Sequence, residues 1–541
     1  RRISPTAAFL RTPQPAVAMV NAWNGIVADS AILTAGSLFV CGLRTLPAPA
    51  PLVADQPVHA DWNFLTGTLV VETSAPTTTL ALSAVITPDA TLDGKPLADA
   101  RSITLAPGIH RLTGVKPNAD SLAMIRGMVR SAETAPTPEV AATQKSADSA
   151  ALPPLKEDWT LDLGAPMASL TRAGSGKDAF LVATGRKLIV AVTPAGRELW
   201  RCQTSGTIRT VHWWPEHELL LVGCKDEKLI ALDRDGKEKW QFVSKMDHAV
   251  WEAAKQYWFK SAHPGVYGVN TGVFIDGKTQ CFVGGACTLE VVDEHGELIK
   301  RLPAFWGPGT LFRLRDAADG SRDLLIVRQP TDGHALKIVN SRKLRVTGSG
   351  FDGVPAGHTY VTGWATMSRN HLFIQDINGD GKDEVVSEIN GFWNRVTIWD
   401  LQGRPLHNAQ FGPGRRIPAR NMRSLALADL DGDGKTEILA ATSSGLIVAL
   451  DCECQRLWSR RLPSAARKLV AFAKTDTSPG RILAGCQSGE ILLLDHTGVP
   501  LAQSRIKGTI IDLVACTVED GRHAVCLTAK GGLSKHSFGS E

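Results

Sequence analysis

Two nine-residue stretches place oxygen-bearing side chains at alternate positions, a spacing that suits a hard cation. DINGDGKDE covers residues 376–384, and DLDGDGKTE covers residues 429–437. Glycines between the acidic positions permit the sharp turn that brings the oxygens around one ion. The predicted ligands are Asp376, Asn378, Asp380, the Lys382 carbonyl and Glu384 in the first loop, and Asp429, Asp431, Asp433, the Lys435 carbonyl and Glu437 in the second.

The sequences around these loops exclude a helix–loop–helix calcium sensor. Such a sensor needs a Glu at position twelve, where this chain has Ser387 and Ala440. The flanking segments HLFIQ and EILAATS are short, apolar and strand-like. Two structural Ca²⁺ ions are expected rather than Mg²⁺, because the loops are flexible and rich in carboxylates and carbonyls. The alternative is a pair of Asp/Gly turns that bind no metal.

The chain around the loops repeats a unit of about four short strands. KLIVAVTPAGRELW, KLIALDRDGKEKW and GLIVALDCECQRLW each combine an apolar strand, an Asp/Gly-type turn and a second strand that ends in Trp. Trp159, Trp200 and Trp240 are 41 and 40 residues apart, the period of a β-propeller blade. Seven units begin near residues 165, 207, 269, 309, 367, 422 and 467.

The eighth unit is divided between the two ends of this region. The C-terminal segment lacks a last strand with Trp, whereas KEDWTLDL at residues 156–163 matches KEKWQFVS at residues 237–244. Pairing the first strand with the last strands would remove exposed sheet edges. We therefore predict that residues 155–541 form an eight-bladed propeller closed in this way, with seven blades as the alternative.

These units resemble the pyrroloquinoline-quinone-type (PQQ-like) propeller repeat, whose outer strand carries a Trp after a GK or GR turn. The two cation loops resemble the FG-GAP repeats of integrin-type propellers. The resemblance covers residues 155–541 and implies the fold but no particular function, because propellers host unrelated activities. Pyrroloquinoline quinone is not expected as a cofactor, because the chain lacks the adjacent Cys pair that quinone dehydrogenases place against it.

The segments before the propeller predict a second all-β domain. Residues 1–130 contain alternating runs such as GTLVVETSAPTTTLALSAV and break at DG and PG turns, which is typical of a β-sandwich. Residues 131–154 are rich in Ala, Pro, Ser and Thr and are predicted to be a linker. The expected fold class is therefore all-β, a sandwich followed by a propeller.

Four long or unusual connections are predicted on the propeller face opposite the cation loops. They are residues 245–268, 348–371, 389–396 and 411–423, and the first two contain all three Tyr of the chain. Aromatic faces stack on sugar rings, and guanidinium groups bind carboxylate or sulfate. The candidate ligand-binding residues are Trp251, Trp258, Trp364, Trp393, Arg415 and Arg423.

The function predicted from these loops is binding of an acidic polysaccharide or oligosaccharide. The alternative is a polysaccharide lyase, similar to propeller-fold lyases that cleave uronate polymers by β-elimination, with a His base, a Tyr acid and an Arg that neutralises the uronate. The candidates for these roles are His248, His263, His358, Tyr257, Tyr267, Tyr360, Arg395, Arg416 and Arg420. A further alternative is that the aromatic residues only plug the ring and the arginines form a solvated rim.

Composition excludes several other classes of protein. A net charge of +5 over 541 residues does not indicate a nucleic-acid partner, and no apolar run is long enough for a membrane span. Ten cysteines are too few for a disulfide-dense scaffold. Calcium loops of this kind suit an extracellular or periplasmic location. The chain begins at Arg1 without Met, so a processed product is expected and further domains could precede it.

Overall fold

The computed structural model describes β-sheet structure in both halves of the chain. The regular elements of the described residues are 44 β-strands and three 3-10 turns, Gly176–Asp178, Pro215–His217 and Ile275–Gly277. The described residues are 6–11, 16–20, 24–28, 31–34, 37–45, 52–63, 67–73, 76–99, 101–120, 152–246, 264–303, 309–328, 336–351, 355, 369–389, 393–413, 422–443, 445–518 and 521–538.

Twelve strands of the N-terminal region form one hydrogen-bonded network. They are β1 (Thr6–Arg11), β2 (Ala16–Val20), β3 (Asn24–Ala28), β4 (Ala31–Thr34), β5 (Ser37–Thr45), β6 (Leu52–Asn63), β7 (Thr68–Thr73), β8 (Thr78–Leu82), β9 (Ala84–Leu92), β10 (Lys95–Pro96), β11 (Ile103–Leu105) and β12 (Gly108–Pro117). The order is β10-β9-β12-β7-β6-β5-β4-β3-β1-β2. β8 lies outside this order and pairs with β6 and β11. β6 has two partners on one side because residues 58–63 pair with β7 and residues 52–54 with β8. The β-sandwich stays a prediction for this branched sheet.

The second region consists of four-stranded antiparallel sheets, eight of them in the described residues. Sheets 1 and 2 contain β14 (Met167–Ala173), β15 (Phe180–Gly185), β16 (Leu188–Val192), β17 (Glu198–Gln203), β18 (Ile208–Trp214), β19 (Leu219–Cys224), β20 (Lys228–Leu232) and β21 (Glu238–Val243). Sheets 3 and 4 contain β22 (Gly268–Val273), β23 (Thr279–Gly285), β24 (Thr288–Val292), β25 (Leu298–Pro303), β26 (Gly309–Asp316), β27 (Arg322–Arg328), β28 (Leu336–Asn340) and β29 (Val346–Gly350). Sheets 5 and 6 contain β30 (Leu372–Gln375), β31 (Glu384–Ile389), β32 (Trp393–Asp400), β33 (Pro405–Pro413), β34 (Met422–Ala428), β35 (Glu437–Thr442), β36 (Leu446–Leu450) and β37 (Arg456–Arg461). Sheet 7 contains β38 (Ala466–Phe472), β39 (Arg481–Cys486), β40 (Glu490–Asp495) and β41 (Pro500–Arg505), and sheet 8 contains β42 (Ile510–Val518), β43 (Gly521–Thr528), β44 (Gly532–Phe538) and β13 (Lys156–Asp162).

The sheets stand side by side around a centre lined by their first strands. Contacts run from β14 through β18, β22 and β26 to β30, and from β34 through β38 and β42 back to β14, while β31 contacts β34. The second and third strands, such as FLVATG and LIVAV, are almost wholly buried because both sheet faces pack against neighbours. Fourth strands are more exposed, and in ELWRCQ half-buried and exposed residues alternate. We call the edge where first strands begin the upper face, and the edge where they turn into second strands the lower face.

Polar side chains join neighbouring first strands across the sheet boundaries. The Leu170 amide donates to Asp512 Oδ2 at 2.9 Å, which links sheets 1 and 8. The Leu469 amide donates to Ser424 Oγ at 3.0 Å, which links sheets 7 and 6. These bonds satisfy inner-edge amides that have no strand partner.

In four of the sheets, a Trp on the fourth strand contacts the next sheet in the chain. Each indole Nε1–H donates to a carbonyl in the turn between the next sheet's third and fourth strands, and the ring lies against a Gly of that turn. The pairs are Trp159 with Gly196, Trp200 with Gly236, Trp240 with Gly296, and Trp458 with Gly498.

Sheet 8 combines strands from distant parts of the chain. Along β13, Lys156 pairs with Ser537 and Asp162 pairs with Gly532 of β44. The Asp158 carboxylate accepts a hydrogen bond from Ser537 Oγ at 2.9 Å and lies 3.2 Å from His523 Nδ1. One sheet therefore holds residues separated by more than 370 positions.

Candidate functional site

Both cation loops lie at the lower face, in neighbouring sheets. The first connects β30 to β31 and the second connects β34 to β35. Asp376 accepts hydrogen bonds from the amides of Gly379 and Gly381, both at 2.8 Å. Asp429 accepts the equivalent bonds from Gly432 at 2.6 Å and Gly434 at 3.0 Å.

The four loop glycines have φ between 78° and 84°, a left-handed conformation that other residues adopt only with strain. In both loops, the side chain of the third residue accepts a hydrogen bond from the backbone amide two residues later. Asn378 Oδ1 accepts from the Asp380 amide, and Asp431 Oδ1 accepts from the Asp433 amide. The two sequences therefore fold into the same loop.

The Glu at the end of each loop is buried and bonded to the loop's second residue. Glu384 Oε2 accepts from the Ile377 amide at 3.1 Å, and Glu437 Oε2 accepts from the Leu430 amide at 2.7 Å. Burial, followed by the nearby carboxylates, raises the pKa of Glu437 to about 7. Carboxylate oxygens of Asp429, Asp431 and Asp433 lie within 4.8 Å of one another. These donors fit a hard divalent cation, whose charge would offset their mutual repulsion.

The two loops also touch each other across the boundary between sheets 5 and 6. The Thr436 amide donates to the Ile377 carbonyl at 2.8 Å. Gln375 Nε2 lies 3.5 Å from Thr436 Oγ1. Order in one loop therefore supports order in the other.

The long connections predicted to carry the ligand site begin and end at the upper face. Residues 247–263, 356–368 and 414–421 lie outside the described residues, as does the side chain of Trp393, whose backbone begins β32. The candidates that fall outside the described residues for this reason are His248, Trp251, Tyr257, Trp258, His263, His358, Tyr360, Trp364, Arg415, Arg416 and Arg420.

Tyr267 lies at the upper face and stacks against an arginine that the sequence did not single out. Tyr267 directly precedes β22, and its amide donates to the Gly284 carbonyl at 2.7 Å. The guanidinium carbon of Arg209 lies 3.7 Å from the centroid of the Tyr267 ring. Arg209 is the second residue of β18, on the neighbouring sheet. An aromatic face and a guanidinium group are thus combined at one strand end.

Two other candidate arginines occupy different environments. Arg395 in β32 is fully buried, and its Nη1 donates to Thr397 Oγ1 at 3.1 Å. Thr397 in turn donates to Asn408 Oδ1 at 2.6 Å, so this guanidinium belongs to an interior polar network and does not face solvent. Arg423 is half-buried as the second residue of β34, at the same face as Arg209.

Arg369 and Phe351, the described residues on either side of positions 352–368, contact each other. Arg369 is fully buried, donates to the Phe351 carbonyl and lies 4.9 Å from the ring of Trp399. Arg369 follows a run of mixed polar and aromatic residues in the sequence, so no periodic signal marked it in advance.

The cysteines of the described residues form no disulfide bonds. Nine cysteines of the described residues are free, and Cys452 and Cys454 are buried, which raises the pKa of each thiol. The described elements include no helix with the length and hydrophobicity that a membrane crossing requires.

Comparisons with known proteins agree with this architecture. A family model of the FG-GAP-like repeat matches residues 376–440, and a family model of the outer membrane protein assembly factor BamB matches residues 156–255. No curated protein sequence matches the chain. The predicted resemblance to PQQ-like and FG-GAP repeats is confirmed, and the chain is a β-propeller protein that carries both.

Solved structures similar to this chain are distant in sequence and share the fold. BamB from Moraxella catarrhalis is 16% identical and covers 71% of this chain and 100% of its own, with a TM-score of 0.47. Sqt1 from Saccharomyces cerevisiae is 10% identical and covers 71% and 100%, with a TM-score of 0.51. The quinohemoprotein alcohol dehydrogenase from Comamonas testosteroni is 12% identical and covers 72% and 77%, with a TM-score of 0.50.

Proposed function

We propose that this protein binds an acidic polysaccharide at the upper face of an eight-bladed propeller. The observation that carries the proposal is the stacked pair of Tyr267 and Arg209, which combines a ring for sugar stacking with a guanidinium for carboxylate or sulfate. Arg423 adds a second guanidinium at the same face. The segments that leave this face contain the other two tyrosines and four tryptophan candidates in sequence.

The proposal includes one Ca²⁺ in each lower-face loop. The matching geometry of the two loops, the buried Glu at each end and the FG-GAP-like match over residues 376–440 support it. Bound Ca²⁺ would neutralise the clustered carboxylates and hold sheets 5 and 6 together through the Thr436–Ile377 bond. The ions would therefore stabilise the ring without contacting a ligand on the upper face.

We also propose that residues 131–154 link a separate N-terminal β-domain to the ring, and that the protein works in the periplasm or outside the cell. Pairing of β13 with β44 and the circuit of first-strand contacts support a single closed ring of eight blades. The partial match to a family of outer-membrane assembly proteins and the calcium-type loops support the location.

The binding proposal is tested by affinity gel electrophoresis on a panel of polysaccharides. Heparin, chondroitin sulfate, pectate, alginate and ulvan serve as acidic polymers, and dextran is the neutral control. We expect retardation on at least one acidic polymer, weakened by about tenfold in Tyr267→Ala and Arg209→Gln, because each removes a stacked or charge-assisted contact. Arg197→Gln, an exposed charge in the turn between β16 and β17 at the lower face, should bind as the wild type does.

Two results would contradict this function, one from the gels and one from the absorbance of the same polymers incubated with the protein in solution. Equal retardation on every polymer and every variant would indicate no ligand site at the upper face. A rise in ultraviolet absorbance from unsaturated uronates would instead assign the protein to the polysaccharide lyases, the alternative in which Tyr257, Tyr267 or Tyr360 acts as the acid.

A further inference from the structure

A pocket of about 360 Å³ lies at the boundary between sheets 6 and 7, near the lower face. It is lined by residues 457–460 of β37 and by residues 496–499 of the turn before β41. Leu430, Asp431 and Glu437 of the second cation loop complete the lining. Pockets that bind small ligands enclose about 300–1,000 Å³, so this pocket suits a ligand of the size of one amino acid or one sugar.

Arg460 in this pocket occupies a position where the other three Trp-bearing fourth strands have an apolar residue. Two residues after the Trp, on the same face of the strand, are Leu161 in β13, Cys202 in β17 and Phe242 in β21. Each of these three packs into a hydrophobic cluster between two sheets. The sequence RLWSRR places a guanidinium at this position of β37 instead. A local rule that is broken in one repeat is expected at a functional site.

The Arg460 side chain is half-buried, and only one of its nitrogen atoms is used as a donor. Its Nε donates to the carbonyl of Gly498, the glycine that the Trp458 ring covers. Within the part of the chain that the structure describes, Nη1 and Nη2 donate no hydrogen bond, and no carboxylate lies at salt-bridge distance. Burial lowers the pKa of Arg460, while the charge of Asp495 acts in the opposite direction.

Asp495 forms hydrogen bonds within its own turn rather than with Arg460. Its Oδ1 accepts from the amides of Thr497 and Val499 and from Thr497 Oγ1, each at 2.8 Å. The guanidinium of Arg460 therefore keeps two nitrogen atoms available for an anionic group of a ligand.

Apolar side chains line the same pocket as this charge. Leu457 is 52% exposed, although it is large and hydrophobic. Trp458 and Val499 are half-buried. A ligand with an apolar group would remove part of this surface from water, which is favourable.

The second cation loop limits the charge that a ligand of this pocket can carry. The carboxylates of Asp431 and Glu437 belong to the lining. Lys474 Nζ donates to the Asp431 carbonyl at 2.6 Å, which adds one positive charge beside them. A ligand with a single negative charge at Arg460 is therefore favoured over a polyanion, whose other charges would approach these carboxylates.

We propose that this pocket binds a single carboxylate attached to a branched or aromatic apolar group. The carboxylate would pair with the planar guanidinium of Arg460 through Nη1 and Nη2. The apolar group would cover Leu457 and Val499. A free organic acid and the C-terminal residue of a polypeptide both offer this chemistry. The inference does not rest on the proposed function, because the pocket lies near the lower face and Tyr267 lies at the upper face.

The test measures the binding of N-acetyl-leucine by calorimetry in millimolar calcium chloride. N-acetyl-leucinamide has the same apolar group without the charge, and acetate has the charge without the apolar group. The variants are Arg460→Gln with its control Arg461→Gln, and Leu457→Ala with its control Leu199→Ala. Arg461 is exposed, follows Arg460 on the strand and is not among the residues that line the pocket. Leu199 is the 44% exposed residue before the Trp of β17.

We expect the wild type and both controls to bind N-acetyl-leucine at least tenfold more tightly than the amide or acetate. Arg460→Gln should bind it at least tenfold more weakly, because the charge-assisted contact is lost. Leu457→Ala should bind it about threefold more weakly, because less apolar surface is covered. Melting temperatures show that each variant folds. If Arg460→Gln does not fold, the comparison of Leu457→Ala with Leu199→Ala decides.

Three outcomes would overturn the inference. They are equal binding of the acid and its amide, a folded Arg460→Gln that binds as the wild type does, and equal losses of binding in the variants and their controls. Binding that is lost in a folded Arg460→Gln and kept in Arg461→Gln supports it.

Two sources of the carboxylate are distinguished by a further arm of the same experiment. A tetrapeptide that ends in Leu with a free carboxyl group represents a polypeptide end. Binding at least as tight as that of N-acetyl-leucine identifies the polypeptide end, whereas weaker binding identifies the free acid. Tyr267→Ala should leave N-acetyl-leucine binding unchanged, and Arg460→Gln should leave polysaccharide retardation unchanged. The failure of either proposal is therefore recognised separately.

Discussion

The indole Nε1 of Trp200 donates a hydrogen bond to the Arg234 carbonyl at 2.8 Å, and the face of the ring covers Gly236 two residues later. Gly236 has a φ of 77°, and a Cβ atom built there would lie 2.6 Å from the ring. The fourth strand of one sheet and the turn of the next are therefore matched in shape, and the same match recurs at Trp159, Trp240 and Trp458.

Replacement of Gly236 by Ala should destabilise the protein more than the same replacement at a glycine that has no Trp neighbour. The new methyl group would displace the Trp200 ring and force a left-handed Ala, so we expect a loss of roughly 2–4 kcal/mol in the free energy of unfolding. Gly277→Ala is the matched control, because Gly277 has a φ of 69° and a Cβ atom there would meet nothing within 4 Å. Its expected loss is about 1 kcal/mol from strain alone. Equal losses by chemical denaturation would contradict a role for the Trp contact.

Removal of Ca²⁺ should destabilise the ring without affecting ligand binding at the upper face. Chelation is expected to lower the melting temperature, because saturating ion at about 100 times its Kd contributes about 2.7 kcal/mol per site. Asp376→Ala and Asp429→Ala should each remove part of the response, whereas Asp476→Ala, in the corresponding loop of sheet 7, should remove none. Weaker polysaccharide retardation at unchanged stability would place an ion in the ligand site instead.

Acid should destabilise the protein through His212. Its Nε2 lies 2.9 Å from Thr271 Oγ1, and burial, followed by the charge of Arg313, lowers its folded-state pKa to about 4. The unfolded chain protonates this His near pH 6.5, so between about pH 6.5 and 4 the unfolded state binds the extra proton. The contribution of His212 is present above this window and lost as the pH falls through it, by roughly 3 kcal/mol.

The His212 prediction is checked by denaturant titrations at several pH values. His212→Gln should flatten the decline in unfolding free energy between pH 6.5 and 4. The exposed His295→Gln should keep the wild-type slope. An unchanged slope in His212→Gln would show that another group controls the acid sensitivity.

Closure of the ring should depend on Asp158. Its carboxylate accepts Ser537 Oγ and approaches His523 and Lys535, all on strands from the other end of the chain. Asp158→Ala is expected to cost about 1–3 kcal/mol, because the buried His523 and the half-buried Ser537 and Lys535 lose their carboxylate partner. Asp162→Ala, where the side chain accepts only the Gly164 amide, should cost less than about 1 kcal/mol. Comparable losses in the two variants would argue against a role of Asp158 in closure.

Much of the ring could be predicted from local sequence. First strands were expected near residues 165, 207, 269, 309, 367, 422 and 467, and they begin at Met167, Ile208, Gly268, Gly309, Leu372, Met422 and Ala466. This agreement is possible because each blade is a local unit of about 40 residues whose strands pair in chain order. The shape of the cation loops was also predictable, because each is determined by glycines and acids within nine residues.

Other parts of the site had no local signal. Arg209 was not selected, because its partner Tyr267 lies 58 residues away on the next sheet. Arg395 looked like an accessible cation beside a loop, yet its strand position places it in the buried interior.

The sequence by itself determined a chain of four-stranded units, the Trp and Gly of their turns, and two cation loops. Strand alternation, turn chemistry and ligand spacing act over a few residues, so they are visible before folding. Only the tertiary structure decided which side chains meet across sheet boundaries, because residues far apart in the chain, such as Arg209 and Tyr267, become neighbours when the sheets pack side by side. Such contacts are therefore a property of the packed sheets and of no single repeat.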